Sequence, residues 1–169
     1  MTVESLATQL DLWSHICSRV EALLGMRGNE ILENIAGLPV TRSHATGRLG
    51  SYVSRGGRPV CIRLQFAQEA ENLKQTLLHE IAHACDHLSN QAGKPYRKAH
   101  GPRWREWAAT LGTTTASNGS SEALKQLHQS RLKLVAVCKK CGAEFQRVRR
   151  LNRRRKYFHR DCGGVLRQL

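Results

Sequence analysis

The feature that most constrains this chain is a pair of histidines, His79 and His83, four residues apart with Glu80 between them. Leu73, Leu77, Ile81, Ala84/Cys85 and Leu88 recur around them at spacings of three and four, with good helix formers in the gaps. That pattern predicts a helix from Gln68 to about Asn90. On such a helix, residues i and i+4 lie roughly 40° apart in azimuth and about 6 Å apart along the axis. Both imidazoles can therefore reach one metal ion, provided the fold returns a third ligand to the same place.

Glu80 has a different use. In the metalloprotease pattern an acid at this position is no ligand but a base, which takes a proton from zinc-bound water and later returns it to the leaving amine. Zinc lowers the pKa of that water towards about 7. The plain alternative is that His79 and His83 are surface groups of an amphipathic helix, and a third ligand decides between the two.

His87, His100 and, more remotely, His44 are available. His87 lies about 12 Å along the axis from His79, too far for a shared ion bound at about 2.1 Å. Sixteen residues separate His83 from His100, and among them Gly93-Lys94-Pro95 can end the helix and turn the chain back. Gly101-Pro102 then open a new helix whose apolar face is Trp104, Trp107, Ala108 and Leu111. His100 stands at that entrance, where a turn can aim it at the pair. Both tryptophans read as core, and Arg103 and Arg105 as solvated charges.

The second constellation is C-terminal. Cys138-Lys139-Lys140-Cys141 is followed by Gly142, and His159-Arg160-Asp161-Cys162-Gly163-Gly164 repeats the internal spacing after seventeen intervening residues. Cys138, Cys141, His159 and Cys162 would make a closed structural zinc site of the ribbon type. A module this short buries little core, so a metal is what it needs in order to fold. Two alternatives stay open: a redox Cys-x-x-Cys pair, against which stands the lack of a βαβ context, and a bystander role for His159. Cys17, Cys61 and Cys85 read as small buried hydrophobes, Cys85 lying about 200° around the helix from His83.

Charge is unevenly spread. The formal +14 divides into +3 over residues 1–130, with 14 basic and 11 acidic side chains, and +11 over 131–169, with 13 and 2. The break follows the Gly/Ser/Thr-rich stretch 112–121, a linker by composition, and a short helical segment at Glu122–His128. Domains of 1–130 and 131–169 are therefore expected. Phe145, Val148 and Tyr157 alternate with basic residues, which predicts two ribbon strands joined by a cationic loop tip. Arg149, Arg150, Arg153, Arg154, Arg155 and Lys156 are the expected phosphate contacts, with Tyr157 or Phe158 free to stack on a base. A solvated charge run or a localisation signal is the bland reading of the same residues.

Towards the N-terminus, Leu6, Leu10, Trp13, Ile16, Val20 and Leu23/Leu24 describe one amphipathic helix. Arg55-Gly56-Gly57-Arg58 should turn Leu49–Val53 back on Pro59–Leu64 as a small antiparallel hairpin. No apolar run is long enough to span a membrane, and the first residues lack a charged start followed by an apolar core. The expectation is a cytoplasmic monomer with no membrane partner, nucleoid-associated, or nuclear in a eukaryote.

With these residues in view the chain resembles the SprT-like zinc metalloproteases, which include the Spartan DNA–protein crosslink proteases. The resemblance rests on Thr76-Leu77-Leu78-His79-Glu80-Ile81-Ala82-His83-Ala84, on His100-Gly101-Pro102-Arg103-Trp104 and on the C-terminal cysteines. The family carries an aromatic residue at the position of Trp104 and usually cysteine at all four ribbon positions, from which His159 departs. The resemblance implies an α+β, zincin-like catalytic domain, helices plus a small antiparallel sheet, with a C-terminal zinc-ribbon β module. It implies that His79, His83 and His100 bind a catalytic Zn2+ beside the structural one and that Glu80 is catalytic. The expected activity is endopeptidase cleavage of DNA-associated proteins, through Glu80-activated zinc-bound water attacking a peptide carbonyl, with the ribbon on DNA without sequence preference. Two other readings are a non-proteolytic nucleic-acid-binding accessory or regulatory protein with a structural or silent metal site, and a metallopeptidase with no nucleic-acid role.

Overall fold

A computed structural model describes every residue except 91, 98 and 115–120. The described residues form two compact units, Met1–Leu124 and Lys125–Leu169. Most of the stretch expected as a linker, residues 115–120, lies outside the described residues.

The N-terminal apolar stripe does not form a single helix. It divides into α1 (Val3–Gln9) and α2 (Trp13–Leu24), and α3 (Arg27–Ala36) follows. The break is at Asp11, whose φ of 58° is in the left-handed region that Asp tolerates better than most residues. There the Leu12 N–H bonds to the Ala7 carbonyl at 2.8 Å. The stripe survives as a spacing because both helices face one core, where Val3, Leu6, Ile16 and Val20 are buried.

β1 (Val40–Arg42), β2 (Gly50–Arg55) and β3 (Arg58–Leu64) form a sheet in the order β1-β3-β2. β2 and β3 make the expected hairpin, closed by Gly56-Gly57 at φ 57° and 80°, the two positive values that a tight type I′ turn requires. The sheet as a whole is not antiparallel, because β1 runs parallel to β3 with Val40 opposite Ile62. Three residues give too short a period-2 signal to read, and β1 is set by tertiary contacts, including Val40 N–H to the Met1 carbonyl at 3.0 Å.

α4 (Ala70–Asn90) lies across this sheet and packs against β2, β3, α3 and α5 (Pro102–Thr110). Its apolar side enters a core of Ile35, Ile62, Leu64, Leu77, Ile81, Trp104 and Leu111. β2 is an edge strand, and the face of α4 that carries the histidines lies beside it.

α6 (Glu122–Ser130) crosses the boundary between the units. In the second unit β4 (Lys133–Cys138), β5 (Glu144–Arg147) and β6 (Leu166–Gln168) form an antiparallel sheet in the order β5-β4-β6. The expected pairing of a Phe145 strand with a Tyr157 strand is not made. β5 pairs with β4, and Tyr157 lies outside the strands, next to a single bridge between Phe158 and Val165. β4 takes the centre because it carries the apolar run of the module: Val135, Ala136 and Cys138 are its buried residues. The described residues therefore combine helices with two small sheets, an α+β composition. No helix among the described residues is long and apolar enough to cross a membrane.

Candidate functional site

α4 sets His79 and His83 one turn apart, with ring centroids at 5.0 Å. His100 comes from the segment before α5 and brings its Nε2 to 3.2 Å from that of His79 and its ring to 4.7 Å from that of His83. One nitrogen from each of the three lies within 4.8 Å of the others. Tetrahedral zinc with Zn–N near 2.1 Å needs nitrogens about 3.4 Å apart, so three converging imidazoles fit that ion. His100 has φ of 62°, and Gly101 and Pro102 then cap and start α5. The left-handed residue lets the chain reverse towards α4 immediately before the helix begins.

Burial gives these histidines the protonation state a ligand needs. It is the main cause pulling His79 down to about 4 and His83 to about 3, with the neighbouring imidazoles adding to it. His100 is lowered too, by burial and then by Arg105. The imidazoles are thus neutral at pH 7, with lone pairs available. Trp104 lies against all three rings, at centroid distances of 4.7, 5.0 and 4.4 Å, nearly parallel to His83 and edge-on to His100. It is fully buried as expected, but its packing partners include the site itself.

Glu80 is engaged from β2. Its carboxylate accepts the backbone N–H of Tyr52 at 2.6 Å, and it is 6% exposed. Burial raises it to about 7, opposed by that N–H and by the positive charge of Arg48. A carboxyl poised near neutrality can hold or release a proton at working pH. The close approach of β2 depends on Gly50, because a Cβ there would sit 2.6 Å from Thr76 Cγ2 and 2.8 Å from Glu80 Oε1. Glu80 and the three histidines open on a cleft of about 620 Å³, whose rim includes Arg48, Ser51, Gln75 and Tyr96.

His87 does not join the three. It is fully buried, where its Nδ1 accepts the Tyr52 hydroxyl at 2.6 Å and its Nε2–H donates to the Lys94 carbonyl at 2.9 Å. His44 is likewise absent from the cluster.

In the second unit Cys138, Cys141, His159 and Cys162 bring one ligand atom each within 4.8 Å of the others. Cys162 Sγ lies 3.5 Å from both Cys138 Sγ and Cys141 Sγ, and His159 Nδ1 lies 3.2 Å from Cys141 Sγ and Cys162 Sγ. Tetrahedral zinc–thiolate geometry calls for about 3.7 Å between sulfurs, so this set also fits. The two halves are built alike: Gly142 N–H returns to the Cys138 carbonyl and Gly163 N–H to the His159 carbonyl, with φ of 73° and 67° at the two glycines. The Cys138 thiol is lowered to about 6, chiefly by the Cys141 backbone N–H. His159 presents Nδ1 to the sulfurs and Nε2 to Asp161, at 3.2 Å. Arg149, Arg150, Arg153, Arg154, Arg155 and Lys156 are all exposed, as is Phe158.

Tyr52, Tyr96, Asp86, Gly50, Arg48 and Asp161 escaped the sequence reading. Asp86 alone left a usable signal, three residues beyond His83 and on the same helix face. Asp161 lies two residues past His159 in the same turn, and Tyr52, Tyr96, Gly50 and Arg48 reach the first site through chain reversals that no local spacing encodes.

Residues 29–130 match the SprT-like family. The germ cell nuclear acidic-1 protein of Caenorhabditis elegans is 26% identical over 110 residues, covering 65% of this chain and 20% of that protein. The chain thus aligns with about a fifth of the relative's length. No solved structure matches it. The matched segment is more than half of the chain and contains every residue that converges on the cleft, so the chain belongs to the SprT-like family.

Proposed function

We propose that this chain is a zinc-dependent endopeptidase acting on DNA-associated proteins, with a zincin-like catalytic domain over residues 1–130 and a zinc-ribbon domain over 131–169 that binds DNA. The observation that carries it is a division of labour around α4: His79 and His83 of that helix meet His100 at one focus, while the Glu80 carboxylate between the first two is engaged by the Tyr52 N–H. A buried carboxyl raised towards neutrality beside the cluster favours a catalytic site over a purely structural one.

His79, His83 and His100 would hold the zinc, which when bound acidifies water and polarises a carbonyl. Glu80 takes a proton from the attacking water and delivers it to the leaving amine. Its burial suits the second task, by favouring the protonated form, and the Tyr52 N–H suits the first, by keeping the carboxylate accessible near pH 7. Cys138, Cys141, His159 and Cys162 would hold the structural ion that fixes the basic segment, whose exposed arginines suit phosphates and whose exposed Phe158 suits an unpaired base.

Glu80→Gln tests the reading. The variant should keep zinc at the histidines and lose cleavage of a DNA-bound protein, and a chelator should abolish wild-type cleavage. Unchanged cleavage by Glu80→Gln would overturn it, and cleavage unaffected by removing residues 131–169 would remove DNA from it.

A further inference from the structure

Tyr96, on the rim of the cleft, makes two hydrogen bonds that together determine a proton position. Its hydroxyl lies 2.9 Å from Asp86 Oδ2 and 2.9 Å from His83 Nδ1. Asp86 is 3% exposed, and its other oxygen already accepts the Asn90 side-chain amide at 3.0 Å. A carboxylate only accepts, so the single hydroxyl proton of Tyr96 goes to Asp86. The tyrosine oxygen is left as an acceptor facing His83. Nδ1 of His83 must then carry the imidazole proton, and Nε2, the nitrogen that Tyr96 does not engage, keeps its lone pair for the cluster with His79 and His100.

We infer that Asp86 and Tyr96 are positioning residues that fix His83 in its Nδ1–H tautomer and so preset it as an Nε2 metal ligand. The physical logic is that of a carboxylate–histidine pair beside a metal, with a phenol interposed because Asp86 reaches the ring only through it. The arrangement also locates the third ligand. Tyr96 and His100 belong to the same connection between α4 and α5, and α4 holds that connection through two adjacent residues, Asp86 at the Tyr96 hydroxyl and His87 at the Lys94 carbonyl. The His83 tautomer and the approach of His100 therefore depend on the same few bonds.

The inference rests on the proposed function only for the metal and not for proteolysis, so its test reads neither cleavage nor DNA. Long-range proton–nitrogen correlation spectra of the chelator-stripped full chain should show the His83 proton on Nδ1. In Tyr96→Phe, which removes the hydroxyl alone, and in Asp86→Leu, which frees the Tyr96 proton to donate to His83, that preference should be lost. Zinc affinity of the histidine site, read by chelator competition with His79→Ala marking its contribution, should fall by about 10- to 100-fold in either variant. If one variant fails to fold, the other decides. An unchanged His83 tautomer with zinc affinity within twofold of wild type overturns the inference. A site that binds no zinc in the wild type would defeat the proposed function, while the tautomer spectra would still decide this point.

Discussion

The backbone N–H of Tyr52 donates to the Glu80 carboxylate at 2.6 Å, which ties the edge of the sheet to α4 at the one acid between the histidines. The same tyrosine donates its hydroxyl to His87. One residue of β2 therefore grips α4 at two points, two turns apart, and the position of Glu80 depends on how closely the strand lies on the helix.

Gly50→Ala should break that grip. The new methyl would meet Thr76 Cγ2 at 2.6 Å and Glu80 Oε1 at 2.8 Å, so the strand must withdraw. We expect a loss of about 1–3 kcal/mol in urea unfolding, typical of overpacking, with a larger loss of activity than of stability. Activity at the wild-type level would show that the strand's closeness is immaterial to Glu80.

Arg48→Ala should move the acid limb of the activity profile to higher pH. Arg48 lowers the Glu80 pKa, so its removal raises it, and Glu80 becomes protonated, unable to act as a base, at a higher pH than in the wild type. Arg48→Lys should keep the limb near its original place. The pH dependence of kcat/KM for the three proteins checks this.

Stability of the metal-free chain should fall on acidification. His79 and His83 are lowered to about 4 and about 3 in the folded state, so between those values and their ordinary 6.5 the unfolded chain binds more protons. Stability from these groups is full above 6.5 and is lost as pH falls towards 4. Glu80, raised to about 7 from 4.5, acts in the opposite sense across part of that window. Denaturant midpoints at pH 5 and 7 should accordingly differ more in Glu80→Gln than in wild type, and less in His83→Ala.

Gly164→Ala should disable the second metal site without touching the first. A Cβ there would stand 2.6 Å from Cys138 Sγ and 3.3 Å from Cys162 Sγ. Metal analysis should give two zinc ions per wild-type chain and one per variant chain. The amide spectrum of residues 125–169 should lose its dispersion, because little apolar core remains to hold it.

Replacing Arg153, Arg154 and Arg155 together with Gln should weaken binding to duplex DNA and flatten its salt dependence. Each lost phosphate contact removes about 0.9 from the slope of log affinity against log salt, so a decrease of up to about 3 is expected. An unchanged slope would mean that these exposed arginines do not meet the backbone.

Much of this protein was written locally. The stripe from Leu73 to Leu88 is α4, Gly56-Gly57 is the hairpin turn, Pro102 is the first residue of α5, and the two paired ligand spacings are the halves of the C-terminal site. These are periodicities and turn requirements that act within a few residues, and a sequence displays them directly. Tertiary structure decided the rest. The apolar spacing from Leu6 to Leu24 holds across two helices because it records which side meets the core, not whether the backbone runs on through Asp11. β1 lies parallel to β3 because Val40 and Leu38 are buried there, with no strand-length pattern to announce it. Which nitrogen of His83 faces the other histidines, and where the Glu80 proton rests near neutrality, depend on Tyr96, Asp86, Tyr52 and Arg48. Three of those four lie more than ten residues from the group they act on, and their effect exists only where folding has excluded water and made a single hydrogen bond or charge count.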